Sequence, residues 1–341
     1  MAREAILLGE LIGEQARQEE GGTAITSLGN DAAEQQLLPP LRWLMQPDDS
    51  RFAHPAESHL SHLLTFYGIR WSYEPTTFAV RWGPKGEPLQ FVTPDFYLPD
   101  HDCYLELTTM RQRLVTRKNR KFRLLRQNYP NVNVRILYLR DFERLRRTYR
   151  NGQQQSPPVL GDVVYDGKQL DDRIEELAAD YADLWASKTT EERAVRPLLL
   201  GVGRGSQTFL DGLSAHVRAQ GVAVDQDSIL LSTPESPENT RRVRVERTPR
   251  TNVVNRPVTV VQDVLSTGLS AAYVQAWLLR HGATSVEICT LLDRDVARIL
   301  DVPVVLRGFA APDVTLAGFG LSRWGEFRDL PHVAAVLAEE I

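Results

Sequence analysis

The strongest indication of the fold is the stretch Val258-Thr-Val-Val-Gln-Asp-Val-Leu-Ser-Thr-Gly-Leu-Ser270. It begins as an apolar run, passes through Gln262 and Asp263, and ends in a Thr-Gly turn that opens a helix. The apolar run predicts a buried strand. Backbone N–H groups at a helix N-terminus bind anions, and the hydroxyls of Thr267 and Ser270 add donors. The stretch therefore predicts a phosphate site, and an ordinary strand-to-helix turn is the alternative when it is taken alone.

Apolar runs alternate with helical patterns on both sides of this stretch. Strands are predicted at 197–202, 258–262, 286–292 and 302–306, and helices at 171–187, 207–219 and 269–281. This alternation is typical of a parallel sheet that is covered by helices on both faces.

Val258–Ser270 resembles the phosphoribosyl pyrophosphate loop of type I phosphoribosyltransferases, and the likeness is greatest to hypoxanthine-guanine phosphoribosyltransferases, over residues 160–337. Four further segments match that family in the right order. They are Gly201–Ser206 for the pyrophosphate loop, Ile288–Arg294 for the late strand, Gly308–Asp313 for the start of the purine-binding hood and Phe327–Pro331 for the closing motif. The resemblance implies the type I phosphoribosyltransferase fold over 159–341, a central parallel sheet flanked by helices with a small hood.

The same resemblance implies a set of ligand-binding residues. Phosphate and ribose would be held by Gln262, Asp263, Ser266, Thr267, Gly268 and Ser270. Pyrophosphate would be held by Arg204, Gly205 and Arg328, and the base by Arg294, Thr315 and Leu316. The implied partner is phosphoribosyl pyrophosphate or a purine nucleotide.

Several positions depart from the family's pattern. Gln262 replaces one of two acids that hold the ribose hydroxyls. Ser266 replaces the acid near the purine N7, the family's proposed general base, and a serine does not accept a proton near neutral pH. Thr315 replaces the aromatic residue that stacks on the purine, Ser322 replaces a metal-holding acid, and Arg294 keeps a donor where the family has lysine. A ligand-binding pseudoenzyme and an active transferase with a changed base specificity both fit this pattern.

The length of 341 residues favours two domains, and residues 51–150 predict a second, smaller α/β module. A helix is expected at 55–67, strands at 70–82, 89–98 and 102–109, a basic helix at about 114–128, a strand at 133–139 and a helix at 141–149. The polar segment 151–158 is predicted to be a linker. Residues 1–50 are predicted to form an N-terminal extension that is partly helical or flexible.

Three carboxylates in this module indicate metal chemistry. Glu57 lies in the first helix, Asp95 follows Pro94 at a strand position that would otherwise be apolar, and Glu106 lies in the third strand. Acids on adjacent strands can converge on a divalent cation, and Mg²⁺ prefers oxygen ligands. Such a cation activates water and neutralises charge that develops on a phosphate. A structural ion pair is the alternative for any one of these acids.

The sequence Pro94-Asp95, followed by Glu106-Leu107-Thr108, resembles the core of PD-(D/E)XK nucleases, and the match extends over residues 54–140. The resemblance implies a restriction-endonuclease-like α/β core. In it, Asp95 and Glu106 would ligate Mg²⁺ or Mn²⁺, and Glu57 would orient a ligand or water. Thr108 occupies the motif's lysine position, so the catalytic amine would come from Lys118 or Lys121.

The charge is unevenly distributed along the chain. Residues 51–150 carry a balance of +9, whereas the rest of the chain carries −13. Basic residues are densest at 111–126, where there is no acid, which indicates either a phosphate-backbone footprint or a solvated helix face. The residues predicted to contact nucleic acid are Arg111, Arg113, Arg117 and Arg120.

Taken together, these patterns predict a metal-dependent nuclease, acting on DNA rather than RNA, whose second domain binds a phosphoribosyl metabolite or nucleotide. The alternatives are an active purine phosphoribosyltransferase of the hypoxanthine/guanine type and a non-catalytic sensor. Two distant cysteines argue against a disulfide framework or a zinc site. No apolar run approaches the ~18 residues of a membrane span, so we expect a cytoplasmic protein without a membrane partner. A homo-oligomer is left open.

Overall fold

The computed structural model describes residues 52–108, 112–138, 159–232, 242–295, 298–312, 314–322 and 325–337. The predictions for the N-terminal extension, the helix at 141–149 and the linker at 151–158 lie outside these residues. The described residues all belong to one unit, Gln46–Ile341. Among them, no helix is both long enough and apolar enough to cross a membrane.

The first part of the chain, residues 52–138, folds as a small module of helices and strands, called the N-terminal module below. Its elements are α1 (Pro55–Phe66), β1 (Ser72–Tyr73), β2 (Phe78–Trp82), β3 (Pro88–Val92), β4 (Phe96–Leu98), β5 (Cys103–Thr108), α2 (Gln112–Asn128) and β6 (Val134–Tyr138). One sheet has the strand order β1-β4-β5-β6, in which β5 and β6 are parallel and the other pairs are antiparallel. β2 and β3 form a separate antiparallel hairpin.

Two of the strands predicted for this module are each divided in the structure. The run at 70–82 becomes β1 and β2, and the run at 89–98 becomes β3 and β4. Between β1 and β2, Glu74 has a positive φ of 42° and is followed by Pro75, which has no N–H to donate to a neighbouring strand. Pro94 interrupts the second run in the same way. The breaks place the four-stranded sheet and the hairpin on different parts of the module.

The second part of the chain is larger. Its elements are β7 (Val159–Tyr165), α3 (Gly167–Ala186), α4 (Thr190–Arg193), β8 (Leu198–Val202), α5 (Gln207–Ala219), β9 (Asp225–Leu231), β10 (Val245–Arg247), β11 (Pro257–Leu265), α6 (Leu269–Arg280), β12 (Ser285–Asp293), β13 (Val304–Ala310), β14 (Thr315–Ala317) and β15 (Val333–Leu337). The long helix α3 begins earlier than predicted because Asp166 and Gln169 form a capping box at its N-terminus.

The central sheet has the strand order β10-β9-β8-β11-β12-β13, with β10 as an antiparallel edge. The remaining strands are parallel, as the sequence predicts. From β8 the chain continues to β9 on one side, whereas from β11 it continues to β12 on the other. Ligands of open α/β sheets bind at the carboxyl ends of strands where the order diverges in this way. The ends of β8 and β11 are therefore the place to look for a site.

Helices cover both faces of this sheet. Val261 and Cys289 lie in the core with α3 and α5, whereas Val258 and Val260 lie in the core with α6. This division follows from the alternation of side chains along β11. A smaller antiparallel sheet, β14-β15-β7, joins the two ends of the second part. The predicted start of the hood, Gly308–Asp313, begins in β13 of the central sheet and leads to β14.

The N-terminal module and the second part share one hydrophobic core. The module contributes apolar residues from α1, β5 and β6, among them Leu60, Leu64, Leu105, Leu107 and Leu137. The second part contributes Val243, Leu269, Ile299 and Leu300, each of them buried. Leu269 opens helix α6 directly after the predicted phosphate stretch, so this core lies behind that stretch.

Candidate functional site

The turn between β11 and α6, residues 262–270, is called the phosphate loop below. Gly268 caps α6 with a φ of 80°, a left-handed conformation that favours glycine. A Cβ at this position would collide with the carbonyl oxygen of Leu300. Thr267 is buried, and its hydroxyl accepts a hydrogen bond from the backbone N–H of Leu269 at 3.3 Å. The loop is thus fixed in shape by its glycine and by the chain packed behind it.

Gln262 presents an unused acceptor at the start of the loop. Its side chain is 4% exposed, and its Nε2 donates to the Ser270 hydroxyl at 3.3 Å. The other amide atom, Oε1, is buried and has no hydrogen-bond partner among the described residues. Burying an acceptor without a partner costs about 1–3 kcal/mol. A ligand hydroxyl at this place would supply the missing donor.

Asp263 is half-buried, and its carboxylate accepts a hydrogen bond from the backbone N–H of Val264 at 2.8 Å. Burial raises the pKa of Asp263 to about 6, while its own backbone contacts and Arg328 act in the opposite direction. A Cβ on Gly205 would collide with the Asp263 carboxylate, so this carboxylate packs directly against the backbone of Gly205. The predicted ribose acid and the predicted pyrophosphate loop are therefore adjacent.

The pyrophosphate loop and the closing motif approach each other at two glycines. A Cβ on Gly320 would collide with the carbonyl oxygen of Gly205. Arg328 donates to the Gly320 carbonyl at 3.0 Å and to the Ser322 hydroxyl at 2.7 Å. Arg204 is exposed. The structure thus places Gly205, Asp263 and the Arg328 segment around one small region at the ends of β8 and β11.

The predicted base-binding residues lie at the hood. Arg294 follows β12, and its guanidinium donates to the carbonyl oxygen of Val314 at 2.8 Å. Its backbone N–H donates to Leu265 at 2.9 Å, which ties the hood to the phosphate loop. Thr315 is half-buried on β14, whereas the Leu316 side chain is buried in the core with α3 and α5. Any contact of Leu316 with a base would therefore involve its backbone.

Sequence reasoning misses Arg298, which is 7% exposed. Its Nε donates to the Ser266 carbonyl at 2.8 Å, and its Nη2 forms an ion pair with Asp293 and contacts the Leu265 carbonyl at 3.5 Å. A charged residue inside the apolar run Val296–Leu300 is the sequence signal that marks it. Buried arginines are rarely found without such partners.

The acids of the N-terminal module also come together, but with basic and backbone partners of their own. Asp95 accepts a hydrogen bond from the Leu107 N–H at 2.6 Å. Glu106 forms an ion pair with Lys118, which also donates to the Leu107 carbonyl at 2.8 Å. Burial raises the pKa of both carboxyls, and the Asp95 charge raises that of Glu106 further. The Oε2 atom of Glu106 has no partner among the described residues. We call Asp95 and Glu106 the carboxylate pair.

The other residues predicted for this site do not join the pair to form a metal centre. Glu57 accepts hydrogen bonds from the Tyr73 hydroxyl at 2.8 Å and from the Ala53 N–H at 3.0 Å. Lys121 donates to the Phe91 carbonyl at 3.3 Å instead. Within the part of the chain that the structure describes, no group of three or more His, Cys, Asp or Glu residues is arranged to hold a metal ion.

The predicted nucleic-acid contacts fall mostly outside the described side chains. Arg111 lies outside the described residues, and Arg113 and Arg117 lie in the part of α2 whose side chains are not described. Arg120 is exposed on the same helix. The footprint predicted from residues 111–126 therefore stays a prediction.

Comparisons with known proteins match the second part of the chain. The family model of the phosphoribosyl transferase domain matches residues 162–323. The chain is 30% identical over 166 residues to the hypoxanthine-guanine phosphoribosyltransferase of Lactococcus lactis, covering 48% of this chain and 88% of the relative. It is 28% identical over 188 residues to the hypoxanthine-guanine-xanthine phosphoribosyltransferase of Tritrichomonas foetus, covering 54% and 97%. A crystal structure of a hypoxanthine-guanine phosphoribosyltransferase from Bacillus anthracis matches 53% of this chain and 100% of its own, with 25% identity and a TM-score of 0.47.

The parallel sheet, the phosphate loop and the hood thus define a type I phosphoribosyltransferase domain in the C-terminal half of the molecule. This chain belongs to the phosphoribosyltransferase family.

These findings correct the main functional prediction. Phosphodiester hydrolysis is wrong as the principal function, because the relatives are phosphoribosyltransferases that match the second part of the chain. The restriction-endonuclease-like core at 54–140 is not confirmed. The catalytic roles of Glu57, Lys118 and Lys121, and the DNA partner, belonged to that reaction and are not carried further.

Proposed function

We propose that this chain is a purine phosphoribosyltransferase. The reaction forms a bond between a ring nitrogen of the base and C1′ of phosphoribosyl pyrophosphate. The bond from C1′ to the pyrophosphate oxygen breaks, and the base loses the proton of its N–H group. The observation that carries the proposal is the juxtaposition of Gly205, Asp263 and Gly268 at the divergent strand ends. The names and activities of the relatives support it.

The chain's own residues supply the binding part of this reaction. The backbone of the Thr267–Leu269 turn receives a phosphate at the N-terminus of α6. The Asp263 carboxylate and the free Oε1 of Gln262 accept hydrogen bonds from ribose hydroxyls. The contact of Asp263 with the Gly205 backbone brings the pyrophosphate loop next to the ribose acid. Together these groups hold C1′ in place while the leaving group departs.

The donor set of the loop fits a divalent cation that arrives with the sugar phosphate. Asp263 and the ligand's own oxygens are the hard donors that Mg²⁺ prefers. When bound, Mg²⁺ neutralises negative charge on the departing pyrophosphate. Gln262 and Ser322 each replace an acid of the family's pattern, so the protein itself contributes less negative charge to the cation than the family pattern does.

The direct test is a transferase assay on the full chain. Hypoxanthine, guanine and xanthine are each supplied with phosphoribosyl pyrophosphate and Mg²⁺, and nucleotide and pyrophosphate are separated by chromatography. The proposal expects both products with at least one base. If calorimetry detects binding of the sugar phosphate but no base yields a product, the chain is a ligand-binding pseudoenzyme and the proposal fails.

Ser266 offers a sharper test of the same chemistry. An acid at this position would accept the proton that leaves the base, and a positioned general base contributes at least about 100-fold. Ser266→Asp should therefore raise kcat by about that factor, whereas Ser266→Asn, of similar size and without a titratable group, should not. If Ser266→Asp is no faster than Ser266→Asn, another group already removes the proton.

The carboxylate pair supports a separate and smaller proposal, that Asp95 and Glu106 bind a divalent cation. The free Oε2 of Glu106 and the closeness of Asp95 support it, while the ion pair of Glu106 with Lys118 competes with it. A Mn²⁺ titration of the full chain, without phosphoribosyl pyrophosphate, tests it. Asp95→Asn with Glu106→Gln should remove one bound Mn²⁺ per chain. An unchanged stoichiometry would exclude the site.

A further inference from the structure

A short segment between β12 and β13 packs against the phosphate loop and forms hydrogen bonds with its backbone. Residues 298–301, called the strap below, pass under the loop before β13 begins. The backbone N–H groups of Ile299 and Leu300 both donate to the carbonyl oxygen of Thr267, at 2.9 and 3.0 Å. Arg298 donates to the carbonyl oxygen of Ser266 at 2.8 Å. Two successive carbonyls of the loop are thus held by the strap.

The strap and the loop are packed directly against each other at Gly268. Gly268 lies so close to the carbonyl oxygen of Leu300 that even a methyl group would not fit. Packed interiors transmit displacements because there is no free space to absorb them. A shift of the strap therefore shifts Thr267 and Gly268, the residues that form the anion-binding turn.

The N-terminal module holds the strap from the other side. Arg135 on β6 donates to the carbonyl oxygen of Arg298 at 3.3 Å and forms an ion pair with Asp301. Ile299 and Leu300 are at most 2% exposed and lie in the core that the module shares with the second part. The strap is therefore fixed by polar contacts at both ends and by apolar packing between them.

A second tie connects the module to the surroundings of the loop. The backbone N–H of Val243 donates to the carbonyl oxygen of Phe66, at the end of α1, at 2.8 Å. The Tyr273 hydroxyl on α6 donates to the Val243 carbonyl at 3.4 Å. Val243 and Leu269 lie in the same shared core. The first turn of α6, which completes the anion site, is therefore also packed against the module.

From these contacts we infer that the N-terminal module is a positioning element for the phosphate loop, and that Arg135 is the positioning residue that links the two. This inference rests on the proposed phosphoribosyl pyrophosphate site, for which it names a determinant outside the matched family domain. In this inference the module acts on the loop through the strap and not through a contact with the ligand. It holds the strap, and the strap holds Ser266 and Thr267 in the conformation that receives the phosphate, which lowers the ordering cost of binding.

The test compares Arg135→Gln with Arg70→Gln in the full chain. Arg70 is the matched control, because it also pairs with an aspartate, Asp100, in the same module but makes none of the strap contacts described above. Hydrogen–deuterium exchange of the ligand-free protein should be about fivefold faster over residues 264–270 in Arg135→Gln and unchanged in Arg70→Gln. Arg135→Lys, which keeps the charge, should restore part of the protection.

The second readout is the affinity for phosphoribosyl pyrophosphate with Mg²⁺, measured by calorimetry. Arg135→Gln should weaken it about fivefold, with KM rising more than kcat falls. Unchanged exchange of the loop, or faster exchange of β13 and β15 by the same factor, would overturn the inference. If the wild-type chain binds no phosphoribosyl pyrophosphate while loop exchange still rises in Arg135→Gln, the proposed function fails and the positioning role stands.

Discussion

The carboxylate pair contains two buried acids and the phosphate loop contains one half-buried acid, Asp263, and the two clusters hold their acids differently. In the pair, Lys118 and the Leu107 N–H occupy one oxygen of each acid. In the loop, the Asp263 carboxylate packs against the backbone of Gly205, and the Oε1 of Gln262 has no partner among the described residues. The pair has an internal counter-charge in Lys118, whereas the described hydrogen bond of Asp263 is with the backbone. Each cluster keeps one unused acceptor, Oε2 of Glu106 in the pair and Oε1 of Gln262 in the loop. An unused acceptor alone does not distinguish the two.

The largest effect is expected from a substitution at Gly268, which tests whether the phosphate loop binds the ligand. Gly268→Ala adds a methyl group against the Leu300 carbonyl and places alanine at a φ of 80°. Affinity for phosphoribosyl pyrophosphate should fall by on the order of 100-fold or more, because the loop must move to relieve the collision.

Gly221→Ala is the control, because its φ is 85° and no atom lies within 4 Å of the added Cβ. It should lose about 1–2 kcal/mol of stability and bind as the wild type does. Calorimetry and urea unfolding measure the two quantities. Equal affinities of the two variants would mean that the loop does not bind the phosphate.

The next largest effect is a loss of stability when Lys118, the counter-charge of the carboxylate pair, is replaced. Lys118→Met leaves Glu106 buried without its ion-pair partner, and the free energy of unfolding should fall by about 2 kcal/mol. The loss should be smaller at pH 6 than at pH 8, because burial already raises the pKa of Glu106 and protonation removes its charge. Lys121→Met, on the same helix, should lose less than about 0.5 kcal/mol. Equal losses in urea unfolding would show that Lys118 does not neutralise the pair.

The smallest effect is a pH dependence of the affinity for phosphoribosyl pyrophosphate, which tests the role of Asp263. Its pKa, raised by burial to about 6, means that the carboxylate becomes protonated as the pH falls through that value. If the ionised form accepts the ribose hydroxyls, affinity should weaken about fourfold between pH 7.5 and pH 5.5. In Asp263→Asn, the pH dependence of affinity that comes from Asp263 should disappear. Only the pH dependence that comes from titration of the ligand itself should remain. Parallel pH profiles by calorimetry would contradict the assignment.

The sequence predicts the second part of the chain well because its signals are local. The apolar run of β11 and the Thr-Gly turn lie within one stretch of sequence, and the strands and helices around them repeat the same pattern. The division of the run at 70–82 escapes prediction because Glu74 adopts a positive φ that its sequence does not require, and the run at 89–98 is divided at Pro94.

The errors about the site have a different physical origin. Arg135 gains its importance from partners far away in sequence, and Arg298 from its contact with the carbonyl oxygen of Ser266, which lies 32 residues earlier. No spacing rule reveals these contacts. The nuclease prediction rested on a short motif whose acids do converge, as predicted for Asp95 and Glu106, although convergence did not identify the reaction. The five ordered segments of the phosphoribosyltransferase pattern were the more reliable guide because each constrains a different part of one fold.

The shared core has a consequence for how such a chain can be assembled in evolution. Leu269, Ile299 and Leu300 lie in one buried core with residues of α1, β5 and β6. A gene rearrangement that separated the two parts would leave this apolar surface open to water and to aggregation. The two parts are therefore not independently exchangeable domains. Sequence changes on one side of the core must be matched by compatible changes on the other.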